Sequence, residues 1–287
     1  KTIFISILSG VEAKAILRTD ILSRILKAGD IRVVLFVKSE KTADFYRKDF
    51  SDKNILFEVI ERAVLSWRER FFERLKHYLV RTETTLLLGR ISNKDRRNIF
   101  LYAISRFLSL LLAHRAVRRV VRWLDEQIPD EKIFDAYFDG YCPDVVFLAN
   151  LFDWIEIQML REAQKRLVRT VGLVNSFDKI TAKGFMRLMP NILLVPNPAV
   201  CADAVKYADV STDAIKVVGF PEYDVYANKD GLLSHADFFA KLNIDASKRL
   251  VLFSPFGQAF SRSDWDMIDI IFEITHAMDA VLLVRFP

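Results

Sequence analysis

Thr2-Ile3-Phe4-Ile5-Ser6-Ile7-Leu8 is followed by Ser9-Gly10, a helical stretch over residues 11–28, and then Ile31-Arg32-Val33-Val34-Leu35-Phe36-Val37. Both runs are apolar at nearly every position and not at alternate ones, as strands covered on both faces must be. Between them Ala15, Ile16, Ile21, Leu22, Ile25 and Leu26 recur at helical spacing, and Gly29 stops the helix. Strand, helix and parallel strand make the unit of a doubly wound sheet.

Working outward, the pattern predicts a third strand over residues 55–60 and then a break in the alternation. Residues 63–127 carry no strand pattern and read as two or three helices separated near 82–93, an insertion on the basic plan. Pro143-Asp144 introduces a strand over 145–149, with a helix over 154–167 and strands over 168–175 and 192–195. A helix over 199–208 and a strand over 215–218 lead into a hinge at 219–224. Past it, polar residues 228–234 suit a linker, and strands over 249–254 and 280–284 flank a helix over 265–278. The expected fold is α/β: two Rossmann-like, doubly wound parallel-sheet domains, 1–226 and 227–287. A sheet of so few strands is rarely complete, so the second domain reads as truncated.

The chain is 52% hydrophobic over 287 residues, enough for real cores, and its 9 Gly and 8 Pro exclude collagen-like or low-complexity architecture. Cys142 and Cys201 match no zinc or redox spacing, which suits reduced thiols and a cytoplasmic setting. The N-terminus reads as a strand and not as a signal. His77, His114, His235 and His276 show no ligand spacing, so no metal is expected. Residues 62–122 hold 15 basic and 4 acidic side chains, a local charge of +11; with +5 overall, the remainder carries −6. An anionic partner would bind there.

Ligands of doubly wound sheets lie beyond the carboxyl ends of the strands, so the loops there hold the candidates. No Gly-x-Gly-x-x-Gly cradle exists anywhere in the chain. After the first strand, Glu12 would sit at a positive helix end facing the cleft, suited to act as a base toward an acceptor hydroxyl; a plain tight turn is the alternative. Asp153 occupies the corresponding place after a later strand, as a second candidate base or as a helix N-cap. Asp178, Lys179, Thr181 and Lys183, with Gly184, form a polar loop that could bind an acceptor or a donor phosphate.

Three stretches carry a resemblance. Ser176-Phe177-Asp178-Lys179-Ile180-Thr181-Ala182-Lys183-Gly184 is similar to a Ser-Trp-Asp-Asn-hydrophobic-Thr-Ser-Lys-Gly segment, with Phe177 for Trp and Lys179 for Asn. Val218-Gly219-Phe220-Pro221-Glu222-Tyr223-Asp224 looks like a Gly-x-Pro-x-x-Asp crossover. Val284-Arg285-Phe286-Pro287 resembles a strand ending in Arg-x-His-Pro, with Phe286 directly before the Pro and the His absent. Together they resemble the glycosyltransferases of the B-type (GT-B) fold, especially the branch of CDP-glycerol glycerophosphotransferases and related polysaccharide glycosyltransferases.

The resemblance implies an acceptor-binding first domain and a nucleotide-donor second domain. It implies transfer of a sugar or alditol phosphate from a nucleotide-activated sugar or CDP-glycerol to a cell-envelope polysaccharide or lipid-linked acceptor. The donor is a substrate, and no separate cofactor is called for. Ser254 and Gly257 would lie in the loop against the donor, and Arg262 just beyond would pair with its diphosphate or stand as a plain surface arginine. A nucleotide-sugar epimerase of the same architecture is the alternative enzyme. A non-catalytic, membrane-docking protein on a degenerate fold is the alternative from another class.

The insertion bears Arg96 and Arg97, an apolar run over 99–113 broken by Arg106, and then Arg115, Arg118, Arg119 and Arg122 on one helix face. The run is too short to span a bilayer. Two readings stay open: a helix packed on its own domain with a solvated arginine face, or an interfacial helix held by those six arginines to anionic lipid at the inner face of the membrane. The aromatics fall on the apolar side, which disfavours nucleic acid.

Overall fold

The structure, a computed structural model, describes residues 1–60, 65–96, 99–128, 131–227, 232–257 and 263–286, with the backbone alone for 92–96. The chain divides into two compact units, Lys1–Ala227 and Asn228–Pro287.

The first unit is built on seven parallel strands: β1 (Thr2–Ser6), β2 (Arg32–Val37), β3 (Ile55–Val59), β4 (Val145–Leu148), β5 (Arg169–Leu173), β6 (Ile192–Val195) and β7 (Ile215–Val217). Their order is β3-β2-β1-β4-β5-β6-β7, so the direction of winding reverses between β1 and β4. Ile5 pairs with Leu35 on one side and Phe147 on the other. Successive side chains alternate between faces, which explains why the strands are apolar throughout. Ile5, Val33, Leu35 and Val37 pack with Ala15, Ile16, Leu22 and Ala43 from the helices Gly10–Ile16, Asp20–Lys27 and Glu40–Asp49. Phe4, Val34 and Phe36 pack on the opposite face with Phe134, Phe138, Ile157 and Leu160. Phe4, Phe36 and Leu35 are fully buried, each worth about 1.5–3 kcal/mol relative to exposure.

Local chemistry corrects three expectations. The helix expected over 11–28 is two helices, because the Thr19 hydroxyl donates to Ala15 O at 2.8 Å and accepts from the Ile21 N–H, ending one helix and starting the next. Among its described residues the insertion shows four helices, Trp67–Leu75, Glu83–Arg96, Ile99–Leu112 and Arg115–Glu126, and the expected break at 82–93 is helical from Glu83 on. Thr82 and Thr85 bond each other's backbone N–H at 2.9 and 3.1 Å, a reciprocal cap that starts that helix. The unexpected helix Glu40–Asp49 is mostly charged but buries Ala43 and Tyr46, three residues apart.

A buried ion network fastens the insertion to the sheet unit. Asp125 accepts from Arg161 at 2.8 Å and from Arg187 at 2.7 and 2.8 Å, while Glu69 and Glu73 pair with Arg187 at 2.7 and 2.9 Å. Burial opposes the charge on Arg187, but the bonds from Asp125 and Glu69 outweigh it and hold its pKa above the ordinary value.

The expected common arginine face is also corrected. Arg118 is buried and forks onto Asp209 at 2.8 Å through two nitrogens, and Arg122 is buried with Nη2 on the carbonyls of Ala208 and Met186. Burial lowers the Arg122 pKa to about 10. These two therefore face their own domain and are out of reach of lipid, whereas Arg115 and Arg119 are exposed. Arg97 and the Arg96 side chain lie outside the described residues. Among the described residues no single helix is long and apolar enough to cross a membrane; the helices Ile99–Leu112 and Arg115–Glu126 meet the length and composition test only as a pair, bent by 94°.

In the second unit β8 (Arg249–Phe253) and β9 (Ala280–Val284) pair in parallel across the helix Asp264–Ala277 and form their own sheet. The chain is thus α/β with a Rossmann-like plan, as expected.

Candidate functional site at the carboxyl edge of the sheet

The reversal of winding between β1 and β4 opens the loops after β1, β4 and β5 on one edge, the place such sheets use for ligands. Ser6, the last residue of β1, is fully buried and donates to Glu156 Oε1 at 2.7 Å; the Ala149 N–H donates to the Ser6 hydroxyl at 3.3 Å. Glu156 Oε2 accepts from the Asn150 N–H at 2.7 Å. This fully buried carboxyl therefore ties the ends of β1 and β4 together. Burial pushes it well above the usual carboxylate range, and the nearby charge of Glu12 pushes it further, against the bonds from Ser6 and Asn150.

Glu12 enters the same cluster from the helix Gly10–Ile16, where Ser9 and Glu12 form a capping box. The Ser9 N–H donates to Glu12 Oε2. The other oxygen, Oε1, is buried and makes no hydrogen bond. Lys179 Nζ donates to Asn150 Oδ1 at 3.1 Å, and burial followed by the like charge of Lys183 lowers its pKa. Asn175, two residues past β5, is 5% exposed, and neither side-chain amide atom makes a hydrogen bond. Glu222 Oε2 is likewise buried and unpaired, in the turn Pro221–Tyr223 that packs against the helix Gly10–Ile16. Buried polar groups are nearly always satisfied, so these atoms at the sheet edge retain hydrogen-bonding capacity for something further.

The fold is shared with UDP-N-acetylglucosamine 2-epimerases. The enzyme of Neisseria meningitidis solved with UDP-GlcNAc superposes with a TM-score of 0.57 at 8% identity, over 99% of this chain and 65% of that one. An S. aureus protein, MnaA, solved with UDP gives 0.54 at 11% over 100% and 62%. The epimerase of Rickettsia bellii gives 0.53 at 7% over 100% and 62%. The chain thus spans less than two thirds of the length of these solved structures. No family model and no curated protein matches it. The GT-B-like architecture expected from the sequence is the one observed, with nothing in these likenesses that singles out the CDP-glycerol branch.

The sequence candidates fall into separate groups. Glu12 and Lys179 join the Ser6–Glu156–Asn150 cluster. Asp153 caps the helix Trp154–Lys165 through the Ile155 N–H at 2.9 Å and pairs with Lys38 at 3.4 Å, so both carboxylate oxygens are engaged. Asp178 accepts from the Ser176 hydroxyl, and the Thr181 hydroxyl donates to Asp178 O at 3.2 Å, so these two brace their own loop. Lys183 is exposed, and Phe177 is 69% exposed. Gly184 adopts φ +89°, and a Cβ there would lie 2.9 Å from Lys76 O. In the second unit the Gly257 N–H already donates to Asp264 Oδ2 at 2.7 Å, and Ser254 donates to Arg285 O at 3.3 Å. Arg262 lies outside the described residues.

Sequence reasoning missed Ser6, Asn150, Glu156 and Asn175. For Ser6, Asn150 and Asn175 a usable signal existed, since each is a polar residue at or just past the end of an apolar strand; Glu156 carried none. Among the described residues no group of three or more His, Cys, Asp or Glu could hold a metal ion.

Proposed function

We propose that the chain transfers a sugar or alditol phosphate from a nucleotide-activated donor to a polysaccharide or lipid-linked acceptor on the cytoplasmic side of the membrane. Residues 1–226 would bind the acceptor, and residues 227–287 would contribute to binding the donor. The observation that supports this reading is the unpaired, buried Oε1 of Glu12 beside Glu156 and Lys179 at the winding reversal. Glu12 would take the proton of the attacking hydroxyl through that oxygen. Glu156, held by Ser6 and Asn150, would position the two loops. Asn175 and Lys179 offer donors to the acceptor's oxygens. Asp178, Thr181 and Lys183 then serve the shape of the loop more than contact. Ser254, Gly257 and Arg262 would face the donor diphosphate once the Asp264 contact opens.

A second reading, nucleotide-sugar epimerisation, draws support from the fold of the epimerases named above. The full chain incubated with UDP- and CDP-activated substrates separates the two. Release of nucleotide only when acceptor is added supports transfer, and conversion of the sugar without acceptor supports epimerisation. For the transfer reaction Glu12→Gln is expected to lower kcat by about 10²–10⁴-fold with little change in KM. Activity unchanged in that variant sinks the role given to Glu12.

A further inference from the structure

The helix Ile99–Leu112 faces the wrong way for a helix in water. Its exposed positions include Ile99, Phe100, Ile104, Phe107, Leu110 and Leu111, with Phe100 73% and Phe107 60% exposed. Tyr102, Ser105, Arg106 and Ser109 turn inward instead, alongside Leu108 and Leu112. A surface helix normally presents its polar face to solvent. The next helix repeats the inversion: Arg118, Arg122 and Asp125 are buried while Val120 and Trp123 are exposed. Leu87, Leu88 and Ile91 of the preceding helix are also about half exposed. Contiguous apolar surface of this kind marks an interaction site.

The surrounding charge selects the occupant. The insertion carries +11 over residues 62–122. Arg68, Arg70, Arg74, Arg81, Arg90 and Arg119 are exposed. A second copy of the same surface would bring these exposed arginines against their own copies, which is repulsive. An anionic bilayer supplies both the apolar medium for the outward face and the negative charge for its rim. At 14 residues, about 21 Å, the helix is too short to span and suits lying in the interface plane. Trp67 and Trp123, both more than half exposed, suit the headgroup level.

We propose that the helix Ile99–Leu112 is an interfacial membrane anchor that docks the protein on anionic lipid by its apolar face, with the exposed arginines as its electrostatic rim. Arg118 and Arg122 take no part. This inference is independent of the chemistry assigned to Glu12.

The test is flotation of the full chain with phosphatidylglycerol–phosphatidylcholine vesicles, about one part in three anionic, against pure phosphatidylcholine. The protein is expected to float with the anionic vesicles and to be released as salt rises. The variant Phe100→Gln, Phe107→Gln, Leu111→Gln, altered only at exposed positions, should melt as the parent does and bind about tenfold or more weakly. Absence of flotation with anionic vesicles, or equal binding by the triple variant, overturns the proposal. So does a dimer or a protein complex that the same substitutions dissolve without any lipid binding.

Discussion

Removing Asp125 is expected to loosen the insertion from the sheet unit. Asp125 is 1% exposed and accepts from two guanidiniums, Arg161 at 2.8 Å and Arg187 at 2.7 and 2.8 Å. Asp125→Ala leaves both arginines, themselves 6% and 2% exposed, with Glu69 and Glu73 as their remaining carboxylates. Breaking a buried ion pair by deleting one partner costs about 3–5 kcal/mol, because the stranded charge stays desolvated. For a unit of this size 1 kcal/mol moves Tm by about 2–4 °C, so a fall of about 6–20 °C is expected in a thermal melt of the full chain. Because the network is buried, the loss should persist in about 0.5 M salt, where a surface pair would be screened. A fall under about 2 °C, or one abolished by salt, would refute the claim that this network pins the insertion.

Three further outcomes follow from the site. Burial raises the folded-state pKa of Glu156, so its contribution to stability is greatest below the unfolded carboxyl value, about 4.3, and is lost as pH rises toward the raised value. Glu156→Gln keeps partners for Ser6 and Asn150, and urea midpoints should decline less from pH 5 to pH 8 than in the parent; equal declines contradict the raised pKa. Gly184→Ala meets both a left-handed backbone and the Lys76 carbonyl at 2.9 Å, and should cost about 1–3 kcal/mol in chemical denaturation. Asp153→Asn, which keeps a capping oxygen, should leave turnover within about threefold of the parent, since its carboxylate is spent on a cap and on Lys38; a collapse in kcat would restore it as the base.

The sheet was legible because its strands are apolar on both faces, and residues 192–195 and 280–284 fall where periodicity places them. The helices of the insertion were less so. Thr82 and Thr85 cap each other in a pattern that reads locally as a turn, and Arg118 and Arg122 read as solvated because their partners, Asp209 and the carbonyls of 186 and 208, are distant in sequence. Glu12 was visible from its place after the first strand. Glu156 was not, because its significance comes from Ser6, 150 residues away, and from complete burial, which no local pattern encodes.

If the polar edge near Glu12 belongs to a protein that handles activated nucleotides, such compounds should bind the folded chain. Thermal melts of the full chain with UDP-, CDP- and GDP-sugars and CDP-glycerol test it directly. Ligand at about 100 times its Kd should stabilise the folded state by about 2.7 kcal/mol, a rise of several degrees with at least one of these compounds. No shift with any of them, at millimolar ligand, would contradict the account.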